Sequence, residues 1–265
     1  QRKLSTIIRK PKYSLDEALE KLRGTKGGCP GSGLSVNCKL NLDYRVKSQR
    51  MMGTFELPHS CGKFSRVAAL TDDDELTVEA YLQGAVVAGN LLQKLRSNQV
   101  QFMKIDRVVA PFGTEDKFTK QGRLRSQFKK AELTPTFESK TLVPRAEFSE
   151  TILKHVRGFY RPFRSDASGN VSTILGQANM ENSQHAENLD HILRQLFEHR
   201  PDDFGTGPSA KKKNIGVFIL GMHINEPQNG AVQLDLDCFD ILNEKQNKPL
   251  RLHKPPSTTD LAETL

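Results

Sequence analysis

Along 35–42 apolar and polar side chains alternate without a break, Val36, Cys38, Leu40 and Leu42 against Ser35, Asn37, Lys39 and Asn41. A period of two predicts a half-buried antiparallel strand with a polar outer face. Before it, KYSLDEALEKLR (12–23) carries the helical period: Leu15, Ala18, Leu19 and Leu22 form one stripe, Ser14 is the expected N-cap, and Glu17 completes a capping box. The Gly-rich run GTKGGCPGSG (24–33) joins the two as a flexible loop. Further on, RVAAL (66–70) and IDRVVA (105–110) read as buried strands, with helices expected around 76–82 and 91–97. Short strands alternating with helices predict an α/β unit built on a parallel sheet.

The stretch 113–147 is polar, with Lys117, Lys120, Arg123, Arg125, Lys129 and Lys130; it reads as a helix near 114–130 and then irregular chain to about Phe148. PFRSDASGNVSTILG (162–176) reads as a hairpin turning at 166–169. HAENLDHILRQLF (185–197) is an amphipathic helix, with Ala186, Leu189, Ile192, Leu193, Leu196 and Phe197 on its apolar face. A basic loop GPSAKKKN follows, then strands at IGVFILGMHI (215–224) and GAVQLDLD (230–237). The tail from Asn243, with Pro249, Pro255 and Pro256, reads as a poorly ordered extension. The expected organisation is an α+β block drawn from both chain ends, with an α/β block inserted between its halves.

Composition narrows the class. The chain has 265 residues, enough for one large domain or two modest ones. Lys plus Arg exceeds Asp plus Glu by 39 to 31, a net charge of +8 that suits a polyanionic partner and equally a basic soluble protein. No apolar run is long enough to span a membrane. Four cysteines, Cys29, Cys38, Cys61 and Cys238, share no CxxC spacing and read as free thiols of a reducing compartment. The chain opens on Gln1 rather than Met, which is read as removal of a targeting segment or of preceding residues.

Candidate chemistry concentrates in GTFELPHSCGKFSRVAALT (53–71), where His59, Cys61 and Lys63 fall within five residues. His59 and Cys61 would share a face of an extended strand, but no cysteine-hydrolase signature surrounds them. Zinc needs about four ligands, and no second pair stands at ligand spacing. A phosphate loop needs GxxxxGK and then Ser or Thr; here Leu57 holds the first position and Phe64 the last. Glu187 and Asp190, beside His191, read as the solvated face of a helix. What remains is binding: Asn37, Lys39 and Asn41 on the outer strand face, and Arg45, Lys47, Gln49 and Arg50 in DYRVKSQR, suit phosphate and sugar-hydroxyl contacts. The plain alternative is a solvated loop.

At LDYRVKSQRMMGTFELPHSCGKFSRVAALT the order Leu, Asp, Arg, Gln, Gly, Leu-Pro-His, Gly-Lys and a strand resembles the signature of the large-subunit ribosomal protein L-one family. YSLDEALEKLR resembles the family's opening helix, and QGAVVAGNLLQKLRSNQVQFMKIDRVVAPFGT its Gly-Ala, helix and buried-strand run. FRSDASGNVSTILG resembles its Arg-Asn-Asp hairpin, with Arg164, Asp166 and Gly169 kept, and GVFILGMHINEPQNGAVQLD its closing strand pair. The likeness covers roughly 12–237. It departs at four places: Met52 replaces the arginine before the signature glycine, and Asn225, Pro227, Gln228 and Asn229 replace a Ser and Thr-Met-Gly. Pro30 stands where an aromatic is usual, and AELTPTFESKTLVP (131–144) replaces a Gly-Pro-rich stretch.

The resemblance implies a two-domain fold of mixed α/β and α+β type: an rRNA-binding α+β domain from 1–73 plus 159–242, an inserted Rossmann-like three-layer domain at 74–158, and an extension at 243–265. It makes the Leu-Pro-His stretch a connector rather than a catalytic loop. The contact set it implies, taken with the basic loop, is Lys39, Arg45, Lys47, Gln49, Arg50, His59 and Lys63 in the first half. In the second half it is Arg164, Ser165, Asp166, Ser172, His223, Asn225, Gln228 and Asn229. The implied role is a non-enzymatic constituent of the large subunit that binds stalk rRNA and guides deacylated tRNA from the exit site, beside other ribosomal proteins. No cofactor, metal, small-molecule substrate or membrane is expected. The departures point to a mitochondrial member, ahead of a plastid or cytosolic-type one. The alternative role is an RNA-binding factor of the same fold in ribosome assembly or mRNA regulation.

Overall fold

The computed structural model describes residues 11–24, 31–62, 64–97, 99–101, 104–114, 126, 128–129, 133–205 and 217–239. Lys63, most of the basic helix expected near 114–130, the loop GPSAKKKN and the tail from Asn243 lie outside the described residues.

Helix α1 (Leu15–Arg23) starts as its sequence predicts: Ser14 Oγ accepts from Glu17 N at 3.4 Å and Glu17 Oε2 accepts from Ser14 N at 3.0 Å. Its buried Ala18, Leu19 and Leu22 pack on a four-stranded antiparallel sheet. That sheet has the order β7 (Asn170–Gln177), β1 (Gly33–Leu40), β8 (Ile219–Glu226), β9 (Gly230–Gln233), so its two central strands come from opposite ends of the chain. Leu34, Val36, Cys38 and Leu40 point into the core, as the alternation requires. The long helix α5 (Asn182–Glu198) contributes Leu189, Ile192, Leu193 and Leu196 to the same core. A second ladder pairs β2 (Met52–Glu56) with β6 (Tyr160–Arg164), held by Phe55 stacked on Phe163 at 4.0 Å.

The inserted block is a parallel sheet of β3 (Val67–Ala69), β4 (Arg107–Pro111) and β5 (Leu142–Val143). Helices α2 (Asp74–Leu82) and α4 (Phe148–Arg157) cover one face around Val67, Ala69, Phe148 and Ile152. Helix α3 (Leu91–Arg96) covers the other with Ala68, Leu91, Leu95 and Phe128. This is the expected three-layer arrangement. The two blocks are joined where outgoing and returning segments run side by side: Leu57 N donates to Phe159 O at 2.8 Å, and Ser65 N to Val156 O at 3.2 Å.

Several expectations change. β3 lies before the expected boundary at 73/74 yet pairs with β4, so the structural insertion begins before Val67. The turn at 166–169 forms, with Gly169 N on Asp166 O at 3.1 Å, but its arms part: β6 joins β2 and β7 joins β1, leaving one bridge between Ser165 and Val171. The stacking of Phe163 on Phe55 draws β6 to β2. Helix α4 has no counterpart among the expected elements; its buried stripe includes the polar Thr151 and His155. Ala186 is exposed, and His185 and Asn188 are buried in its place. Of the strand expected over 215–224, 215–216 lie outside the described residues and β8 starts at Ile219; Asn41 takes the carbonyls just before it, its N binding Phe218 O at 2.8 Å and its Nδ2 Val217 O at 3.1 Å. Asn41 is therefore buried, not outward.

Candidate nucleic-acid interface

With α1 and α5 on one side of the four-stranded sheet, the alternate residues line the other. Asn37 stands opposite Ser172 on β7 and His223 on β8; Lys39 stands opposite Asn170 and Gly221; Ser35 stands opposite Ile174 and Asn225. His223 is in turn opposite Gln233 of β9. Four residues expected from three separate stretches, Lys39, Ser172, His223 and Asn225, thus share one polar face. Strand neighbours are about 4.8 Å apart, so one nucleotide spans two of them. A cation, a hydroxyl, an imidazole and an amide offer donors to phosphate and both donors and acceptors to a ribose 2′-hydroxyl. Asn37 Oδ1, in the middle row, is shielded and without a hydrogen-bond partner.

Arg45, Lys47 and Arg50 lie on the loop that follows, and its shape depends on a residue expected to touch RNA. Gln49 is only 1% exposed. Its Oε1 accepts from Asp43 N at 2.7 Å and its Nε2 donates to Asp203 O at 2.6 Å. Gln49 is therefore a loop anchor, not a contact, because both ends of its amide are bound inside. Arg45 and Lys47 project from the anchored loop, with Asp43 Oδ1 accepting from Arg45 N at 3.0 Å. Arg50 Nε donates to Tyr44 O at 3.0 Å.

Arg50, Arg164, Ser165 and Asp166 line one open cleft of about 510 Å³, together with Tyr44, Met51, Met52 and Ala167. Ser165 Oγ accepts from Met51 N at 3.0 Å. Asp166 accepts from Ser168 N at 2.8 Å, Asn170 N at 2.7 Å and Asn170 Nδ2 at 2.9 Å. Partial burial would raise its carboxyl, but these donors and the positive charge of Lys39 together hold it below the usual range. Its bonds shape the turn that places Ser165 and Asn170, and it stays anionic, which suits a 2′-hydroxyl better than a phosphate. Asn170, which donates to Asp166, stands opposite Lys39 in the strand pairing, so the cleft adjoins the sheet face.

His59 and the tip of the β8–β9 turn behave differently. His59 Nε2 meets Glu187 Oε2 at 2.6 Å, and its backbone N–H binds Asn188 Oδ1 at 3.0 Å. Ser60 Oγ donates to Arg157 O, and the Cys61 thiol to Gly158 O at 3.1 Å. His59 and Cys61 thus have separate partners, and the stretch stitches the two crossing segments together. Gln228 is exposed, but Asn229 Nδ2 donates to Leu22 O at 3.0 Å and to Glu226 Oε2 at 2.5 Å. Glu226 is 2% exposed and also accepts from Ser32 Oγ at 2.6 Å. Asn229 therefore satisfies a buried carboxylate, and its donor group is unavailable to RNA. Glu187 and Asp190 form no acid–base pair: Asp190 binds Arg194 at 2.7 Å. Among the described residues no group of His, Cys, Asp and Glu could hold a metal, and no helix is long and apolar enough to cross a membrane.

Tyr44, Met52 and Asn170 carry no binding signal in the sequence: Tyr44 and Met52 meet in the cleft only through folding, and Asn170 stands next to Lys39 only through strand pairing. Taken together, the described residues form a mixed α/β protein whose first unit is interrupted by a three-layer second unit, with a polar sheet face beside a cleft that holds two arginines. The model of the ribosomal protein L1p/L10e family matches residues 12–220, and the chain belongs to that family. It is 27% identical over 191 residues to the large ribosomal subunit protein uL1 of Mesomycoplasma hyopneumoniae (strain 7448), covering 72% of this chain and 80% of the relative. Against uL1 of Dehalococcoides mccartyi (strain BAV1) the identity is 27% over 232 residues, 87% and 90% of the two chains. Against the large ribosomal subunit protein uL1c of Phaeodactylum tricornutum it is 25% over 228 residues, 85% and 90%.

Proposed function

We propose that this chain is a structural constituent of the large ribosomal subunit that binds stalk rRNA and assists the departure of deacylated tRNA from the exit site. The observation that carries the reading is the convergence of Lys39, Ser172, His223 and Asn225 on one sheet face that no described helix covers and that adjoins the cleft of Arg50 and Arg164. Family membership and relatives named as large-subunit proteins support it. The work is electrostatic clamping of an RNA arm, with no bond made or broken. The α+β unit from the two chain ends holds the RNA, and the inserted unit moves with it. The departures from the family pattern at Met52 and Pro227–Asn229 support a mitochondrial ribosome as its place.

The test is a titration of a stalk-rRNA fragment at several salt concentrations. With three to five phosphate contacts from Lys39, Arg45, Lys47, Arg50 and Arg164, log affinity falls linearly with log salt at a slope of about −2 to −4.5. A salt-independent affinity refutes the clamp. Co-sedimentation with translating large subunits separates a resident protein from an assembly or mRNA-regulating factor, and organelle fractionation tests the mitochondrial assignment.

A further inference from the structure

We infer that Tyr44 is a stacking platform for an unpaired nucleobase of the bound RNA, with the arginines around it holding that nucleotide's flanking phosphates. The inference rests on the RNA-binding reading and adds a site to it. Tyr44 is 46% exposed and Met52 56% exposed, and both line the cleft that also holds Arg50 and Arg164. The Arg45 guanidinium lies 6.0 Å from the Tyr44 ring centroid, and Arg50 is fixed to the Tyr44 carbonyl at 3.0 Å. An aromatic ring within a ring of cations matches a nucleotide: the base stacks on the flat face and the phosphates meet the charges.

The platform is rigid before RNA arrives. Asp43 is 3% exposed and accepts from Arg45 N, while Val46 N donates to Asp43 O at 3.1 Å. Buried Gln49 ties Asp43 to Asp203, and Ser48 Oγ adds a bond of 2.6 Å to Asp203 Oδ2. A loop held from below on both sides of Tyr44 loses little freedom on binding, so stacking is not offset by ordering. Two other exposed rings, Phe112 and Phe137, contact each other at 5.1 Å, and in the cleft they share the carboxylates Glu56, Glu147 and Glu150 outnumber Lys140 and Lys154, a poorer setting for a phosphate backbone.

The experiment uses the full chain and two probes: a stalk-rRNA fragment that keeps its unpaired nucleotides, and a fully paired duplex with the same number of phosphates. Tyr44→Ala weakens binding of the stalk fragment about fivefold to a hundredfold, the range for one stacked base, and leaves the duplex unchanged. Tyr44→Phe, which keeps the ring, binds within about twofold of wild type, and the salt slope is the same in all three proteins. Ultraviolet crosslinking of the wild-type complex gives a nucleotide adduct on the peptide containing Tyr44. Equal affinity of wild type and Tyr44→Ala for the stalk fragment, or equal losses on both probes, overturns the stacking site while leaving RNA binding intact. A wild-type chain that binds neither probe overturns the RNA-binding reading and the stacking site with it.

Discussion

Replacing Asn188 with Ala should destabilise the α+β unit by about 3 kcal/mol. Asn188 is 0% exposed on α5, and its amide closes three gaps at once. Oδ1 accepts from His59 N at 3.0 Å, and Nδ2 donates to His59 O at 3.2 Å and to Leu175 O at 2.8 Å. The Leu175 carbonyl needs this donor because the β1–β7 register shifts there: Leu34 pairs with Gly176 and Ser35 with Ile174, so Leu175 is the extra residue of a bulge. Alanine leaves that carbonyl unpaired in the core, and each buried polar group without a partner costs about 1–3 kcal/mol. The His59 groups lie nearer the surface, where water recovers part of their loss. The sum is then about 2–4 kcal/mol rather than three full penalties. Urea unfolding followed by circular dichroism reads the shift. Glu187→Ala is the control next door: it removes only the partly exposed hydrogen bond to His59 and should cost less than about 1 kcal/mol. A cost below about 1 kcal/mol for Asn188→Ala would refute the view that this amide holds the connector, the bulge and the helix together.

Two buried histidines make stability fall in mild acid. Burial lowers both His155 and His185 to about 4, with the charge of Arg23 adding to the effect at His185. The unfolded chain titrates near 6.5, so it binds more protons between these values; stability is full above about pH 6.5 and is lost as pH falls toward 4. Between pH 7 and 5 the loss is about 2 kcal/mol per histidine, read from urea midpoints, and His185→Leu should remove about half of the dependence. Glu56→Gln probes the contact between the units: the carboxylate pairs with Lys140, lies 3.5 Å from Lys154 Nζ and accepts from Tyr160 Oη at 3.5 Å. At 40% exposure its loss should cost about 1 kcal/mol or less, and the difference in thermal midpoint should shrink at 1 M salt; a salt-insensitive difference argues against an ionic contact.

What could be read from the chain alone was whatever neighbouring residues decide between themselves. The α1 capping box closes over three residues, the alternation of β1 names its buried face directly, and Asp166 forms its turn with Ser168 and Asn170. The motif-bearing stretches were legible as a family resemblance, and with them the interrupted two-unit plan. Side-chain roles were not, wherever a polar group's partner is distant in sequence. Gln49 and Asp203 are 154 positions apart, and Asn229 and Leu22 are 207 apart, so an amide that looks ready for RNA is already bound within the protein. The same holds for strands: β6 follows a good hairpin turn, yet pairs with β2 because Phe163 stacks on Phe55. Tyr44 became visible as part of a cleft only once folding had brought 44–52 against 164–167. Local hydrogen bonds and periodicity are fixed by adjacent residues, whereas the choice between solvent, RNA and an internal partner is made by which distant groups the packed core brings within reach.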